Sequence, residues 1–366
     1  MLRVQADAGP GRRRTRRSHA GFAMARGEHP GPIAWPRSRR ARRWPWHAGA
    51  ARPDSRHQRD RRFVMPKALQ GVVPIVAAPF TSAGALDEDS LQALIRHLLG
   101  TGAAGLTLFG LATEFYKLTD DERRRMQAIL LAETSRSATV AGIISITDHS
   151  WEIATMRAQA AEAQGADALM LLPPFFLAPG DDAILDHIRR VVGSVQIPVV
   201  VQYAPAQTGV RIGPALFLRL RDDLPNLSAV KVETQPPGRY LSSLVEQSGG
   251  RLQALVGYAG IQLPDALARG AAGVQPGCSL TEIYVALDRM FRGGDHVALR
   301  ALHARLLPYI GYWMQGVELI IRAEKHILAR RGLIASSYCR HPAYTLDAHE
   351  LAQIEQCLAE FAVFLA

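Results

Sequence analysis

The sequence predicts an α/β fold: a (β/α)8 TIM barrel followed by a C-terminal helical extension. Eight short apolar runs recur between residues 71 and 276, amphipathic stretches separate them, and the runs are almost continuously apolar. A strand buried on both faces reads as unbroken apolar text, whereas one with a wet face alternates. Eight such units over about 220 residues suit a closed parallel barrel better than an open doubly wound sheet.

In chain order the runs are GVVPIVA (71–77), AAGLTLFG (103–110), ATVAGII (138–144), ADALMLL (166–172), PVVVQ (198–202), LSAVKV (227–232), LQALVG (252–257) and AAGVQP (271–276). Helical text such as DEDSLQALIRHLLGTG and TDDERRRMQAILLAETS lies between them, and Thr119 with Glu122 predicts a capping box for the latter. The Gly-Ala-Ala and Gly-Ala-Asp triplets before runs two, four and eight predict tight helix-to-strand turns. The barrel is expected over 67–292 and a helical bundle over 293–366.

The net charge of +10 invites a nucleic-acid or membrane partner, but it is not evenly spread. Residues 1–66 hold 17 Arg and no Lys against four acids, a net of +13, which leaves the remainder at −3. That front segment lacks apolar periodicity and is expected to be disordered. It could be a basic arm or a transit peptide; the reading adopted is that translation begins at Met65, so the segment is not part of the native protein. The mildly acidic body gives no reason to expect a nucleic-acid or membrane partner. Three cysteines, Cys278, Cys339 and Cys357, form neither a disulfide framework nor a CxxC pair, which suits a cytoplasmic protein. No metal or cofactor is implied, and GTGAAG opens a strand rather than a helix, making it a poor phosphate loop.

Beyond residue 66 the chain has four lysines, Lys67, Lys117, Lys231 and Lys325, against 22 arginines. Only Lys231 closes an apolar strand, in NLSAVK, where barrel enzymes present their working face. A lysine over a packed interior can attack a carbonyl, which an always-charged arginine cannot do. The plainer alternative is a lysine that reaches to the rim and pairs with Glu233.

With GVVPIVAAPFTSAGALDEDSLQALIRHLL, LFGLATEFYKLTDDER, LMLLPPFF, PVVVQYAPAQTG, LSAVK and GAAGVQPG in order, the chain from residue 67 onward resembles the dihydrodipicolinate synthase / N-acetylneuraminate lyase family of Schiff-base aldolases. The resemblance implies that Lys231 forms an imine with pyruvate or another 2-oxo acid. It also implies a homo-oligomer, a dimer or a tetramer built from two dimers. The family's G-[TS]-[TS]-G-E loop reads Gly110-Leu111-Ala112-Thr113-Glu114 here, so two hydroxyls are missing. Backbone N–H groups of that loop can still hold a carboxylate. Thr113 either supplies a displaced hydroxyl or is a turn residue. Substrate-binding positions implied by the alignment are Gly110, Ala112, Thr113, Gln202, Gly257 and Gln275.

Two further departures matter. Phe176 replaces a tyrosine of the family's proton relay and is expected to keep a packing role. In PVVVQYAP, the spacing between Pro198 and Pro205 gives the catalytic tyrosine's place to Gln202. Tyr203 should then face away, because neighbouring strand residues point to opposite faces. Gln207 stands where an arginine often grips a second carboxylate, which speaks against the aspartate-semialdehyde partner of dihydrodipicolinate synthesis. The relay lost at Leu111, Phe176 and Gln202 leaves Glu114, Tyr116, Glu233 and a substrate carboxylate with ordered water as candidate proton carriers. The function expected is a lyase, aldolase or dehydratase, on a 2-oxo acid. The alternatives are orthodox 4-hydroxy-tetrahydrodipicolinate synthase and a 2-oxo acid-binding homologue without turnover.

Overall fold

The computed structural model describes residues 67–365, and the Arg-rich front (1–66) lies outside the described residues. Eight parallel strands form one sheet: β1 (Gly71–Val72), β2 (Gly105–Leu108), β3 (Ala141–Ile146), β4 (Ala168–Leu171), β5 (Val199–Tyr203), β6 (Leu227–Val232), β7 (Gln253–Val256) and β8 (Gly273–Val274). Each lies within an apolar run, except that β3 and β5 extend past theirs. Strands two to eight pair in sequence order, and β8 pairs with β1. The β1–β2 seam is joined by Ala104 N–H to Val72 O (2.8 Å), Thr107 N–H to Pro74 O (3.0 Å) and Val76 N–H to Thr107 O (2.8 Å). Pro74 has no N–H to donate, which keeps the regular part of β1 short.

The alternation of side chains sorts the strands into two cores. Val73, Ile75, Ile143, Met170, Val200 and Leu255 fill the barrel interior. Residues one step along, such as Ile144, Leu169, Val201 and Val230, pack outward into the larger core shared with the helices. Tyr203 belongs to this outer set, its ring 4.8 Å from that of Tyr240 and 6.1 Å from that of Phe217.

The surrounding helices are α1 (Glu88–Gly100), α2 (Asp120–Thr134), α3 (Trp151–Ala163), α4 (Asp181–Gly193), α5 (Pro205–Thr208), α6 (Pro214–Asp223), α7 (Gly238–Ser248), α8 (Leu263–Ala268) and α9 (Thr281–Arg292). The predicted capping box of α2 is present: Thr119 Oγ1 accepts from Glu122 N–H (3.2 Å), and Glu122 Oε2 accepts from Thr119 N–H (2.9 Å). The three tight turns each open on a glycine in the left-handed region, Gly102 (φ 96°), Gly165 (φ 92°) and Gly270 (φ 89°), where a Cβ would be strained. Beyond α9 come α10 (His296–Trp313), α11 (Val317–Arg330), α12 (Ala348–Glu360) and α13 (Ala362–Leu365). The turn from α10 to α11 comes back over the C-terminal ends of the strands, bringing Met314, Val317 and Ile320 to the barrel mouth.

Candidate active site

Lys231 owes its direction to a register shift. Val199 pairs with Leu227 but Val200 pairs with Ala229, so β6 carries one extra residue, Ser228. A one-residue change of register exchanges the faces of a strand. With the bulge, Ala229 joins the barrel interior and Lys231 stands beside Gln202, with which it is in register. Had Ser228 paired with Val200, Lys231 would face the helices. The extra residue lies in β6 and not in β5, so the Pro198-to-Pro205 spacing that places Gln202 is intact. Lys231 is 4% exposed, so it does not reach out to the rim.

Around the amine the structure gathers three groups. Glu233 Oε1 lies 3.3 Å from Lys231 Nζ. Its other oxygen, Oε2, accepts from Gln202 Nε2 at 2.7 Å. The backbone N–H of Tyr258 donates to Oε1 at 3.2 Å. Glu233 follows Lys231 by two residues and so shares its face, although it lies just past the strand. Both the ion pair with Glu233 and a buried, inward lysine are therefore present together.

These groups line a cavity of about 70 Å³ at the C-terminal ends of the strands, far smaller than a drug-sized pocket of roughly 300–1,000 Å³. Leu111 and Ala112 form one wall, and Met314, Val317 and Ile320 form an apolar roof. Gln207, Tyr258 and Gln275 complete the polar lining. Gln275 Nε2 bonds Thr107 Oγ1 at 2.9 Å. Among the described residues that line the cavity, Lys231 is the one cation and Glu233 the one anion.

Of the positions the sequence singled out, Lys231, Ala112, Gln202 and Gln275 meet at this cavity, and three others do not line it. Gly110 packs against the segment that follows β1, where a Cβ would come within 2.9 Å of Ile75 Cγ2. Thr113 does not offer its hydroxyl to the cavity. That group donates to Val76 O (2.7 Å) and accepts from Phe109 N–H (3.1 Å), tying the loop to the segment that follows β1. Gly257 lies beneath Glu233, where a Cβ would fall 2.3 Å from Glu233 Cγ; its lack of a side chain makes room for that carboxylate.

Among the candidate proton-carrying side chains only Glu233 reaches Lys231. Glu114 is fully buried, paired with Lys325 of α11 and, at 3.1 Å, with Lys117. Lys117 also bonds Glu318 (2.7 Å), the partner of the Tyr116 hydroxyl. This network fastens the loop after β2 to α11. Phe176, expected to pack, is 79% exposed on the loop after β4, and Phe175 is the ring that meets the core.

Fold and site define a (β/α)8 barrel with a small closed-over pocket built on one strand-end lysine and one carboxylate. Residues 68–361 match the Dihydrodipicolinate synthetase family, and the chain belongs to that family. It is 30% identical over 292 residues to a 4-hydroxy-tetrahydrodipicolinate synthase of Kineococcus radiotolerans, covering 79% of this chain and 92% of that protein. It is 26% identical over 290 residues to an L-2-keto-3-deoxyarabonate dehydratase of Azospirillum brasilense, covering 78% and 92%. The crystal structure of YagE of Escherichia coli K12 in complex with pyruvate superposes with a TM-score of 0.73 at 25% identity, covering 80% of this chain and 98% of that one. Among the described residues no helix is long and apolar enough to cross a membrane, and no cluster of three or more His, Cys, Asp or Glu could hold a metal ion.

Proposed function

We propose that this chain is a Schiff-base lyase, an aldolase or dehydratase, whose Lys231 condenses with pyruvate or a related 2-oxo acid. The observation that carries the reading is Lys231 itself: buried, inward, and the one cation lining the cavity among the described residues. An amine so placed has a carbonyl-sized space before it and a carboxylate to exchange protons with. Leu111 and Ala112 present the leading N–H groups of a short turn, which have no carbonyl of that turn to bond and can hold the carboxylate of a 2-oxo acid. Relatives named for dehydratase and synthase activity, and a neighbour solved with pyruvate, support the same class.

The orthodox synthase reading has the names of several relatives in its favour. Against it, Gln202 and Gln207 stand where the resemblance places a tyrosine and a carboxylate-gripping arginine, and among the described residues the cavity lining holds no second cation. A hydroxylated 2-oxo acid, whose far end donates hydrogen bonds, suits the acceptors of Gln207, Gln275 and Glu233 better than a dicarboxylate. The working unit is proposed to be a cytoplasmic homo-oligomer, its mass readable by light scattering. Borohydride reduction in the presence of pyruvate or 2-oxobutyrate should leave a stable adduct on Lys231, absent from Lys231→Ala. No adduct with any 2-oxo acid would sink the proposal, and an adduct without turnover of a substrate panel would leave only a binder.

A further inference from the structure

Loss of the hydroxyl relay leaves a question of chemistry. Once an imine forms, something must take a proton from C3 of the bound acid and return it, because that exchange is what makes the enamine usable. Among the described residues, the titratable side chains lining the cavity are Lys231, Glu233 and Tyr258, and the lysine nitrogen is consumed in the imine. The carboxylate is placed for the task in three independent ways. It lies 3.3 Å from Nζ, and C3 of an imine is two bonds from that nitrogen, roughly 2.5 Å away, so it is within reach. Gln202, in the tyrosine's place, donates to one of its oxygens, and the Tyr258 N–H donates to the other. Gly257 leaves the space it occupies, and Cβ there would overlap it. A mere counterion needs no such cradle, since its partner alone would hold it.

We propose that Glu233 is the proton-transfer group of this site, with Gln202 and Gly257 as the residues that position it. This inference rests on the imine reading above. The step balances on Glu233 alone. Its carboxylate takes the proton from C3, the C–H electron pair becomes the C2=C3 bond, and the C2=N electrons move onto nitrogen. The carboxylic acid so formed then returns a proton to C3 or to a leaving oxygen at C4. No oxidant or second reactant is required.

The test is hydrogen–deuterium exchange at C3 of pyruvate in D2O, followed by NMR with the full chain. It needs no knowledge of the natural substrate. Wild type should exchange the methyl protons, and Glu233→Gln should lower that rate on the order of 10²-fold or more while borohydride still traps Lys231. Tyr258→Phe keeps the backbone N–H that holds Glu233 and should lower exchange far less than Glu233→Gln does. Undiminished exchange in Glu233→Gln with an intact adduct overturns the assignment to Glu233 alone. So does exchange that survives in Glu233→Gln but is lost in Tyr258→Phe. A wild type that forms no adduct overturns the imine reading and this inference with it. Should Glu233→Gln not fold, Glu233→Asp draws the carboxylate back by one methylene and makes the same comparison, with reduced exchange expected.

Discussion

At the scale of single residues the site is a matter of which atom has room. Gly257 shows this most sharply: its φ of −97° is open to any residue, so it is glycine for space and not for conformation. A methyl group there would sit 2.3 Å from Glu233 Cγ and 2.4 Å from Oε1. Glu233 is a flexible side chain, so the fold should survive Gly257→Ala while the carboxylate swings off Lys231 and Gln202. The expected outcome is a fall in C3 exchange close to that of Glu233→Gln, with Lys231 still trapped by borohydride and a melting temperature within a few degrees of wild type. Exchange at the wild-type rate would show that the carboxylate works from elsewhere. Glu233 was legible as a partner of Lys231 from the two-residue spacing. Its cradle was not, since the Tyr258 N–H reaches it only through a non-glycine residue at φ 56°, which no propensity foretells.

At the scale of elements, the loop after β2 and helix α11 behave as one piece. Lys325, on α11, is fully buried, with Glu114 as its anion, Tyr338 O accepting at 3.1 Å and the Phe80 ring 4.2 Å beneath it. Desolvation pushes the pKa of Lys325 down, and the Glu114 carboxylate opposes that. Removing Lys325 leaves the buried Glu114 with Lys117, at 3.1 Å, as its remaining cation. Lys325→Met should therefore destabilise, by less than the roughly 3–5 kcal/mol of a buried charge left wholly unpaired. Adding Glu114→Gln to Lys325→Met should recover part of that loss, as a denaturant double-mutant cycle would show; strictly additive effects would deny the coupling. This joint explains why the strands were readable and the cavity roof was not. Apolar runs and the Thr119–Glu122 box declare themselves locally. Met314, Val317 and Ile320 reach the mouth only because α11 is bolted to a loop some 200 residues earlier in the chain. The Ser228 bulge is equally silent, although it decides which face Lys231 takes. Thr113 read as either a displaced site hydroxyl or a turn residue, because sequence names a hydroxyl without its direction.

Across the whole molecule, buried titratable groups away from the site set how the barrel tolerates acid. His187 on α4 is 3% exposed; burial, with nearby His149, pushes its pKa down from 6.5 to about 4. Glu122, gripped by Arg340 through two hydrogen bonds (one of 2.8 Å) that outweigh its desolvation, is held down from 4.5 to about 2. Both groups bind a proton more readily in the unfolded chain, so falling pH favours unfolding. The His187 contribution is present above about pH 6.5 and lost by about pH 4. The Glu122 contribution is present above about 4.5 and lost towards 2. Each window of about 2.5 pKa units corresponds to about 3 kcal/mol. Since other groups titrate alike in both proteins, His187→Leu should gain about 3 kcal/mol on wild type as pH falls from 7 to 4. Urea midpoints across that range read the difference directly. A gap that stays constant with pH would mean that folded His187 takes up its proton as freely as the unfolded chain does, and that its burial opens to water on the timescale of the measurement.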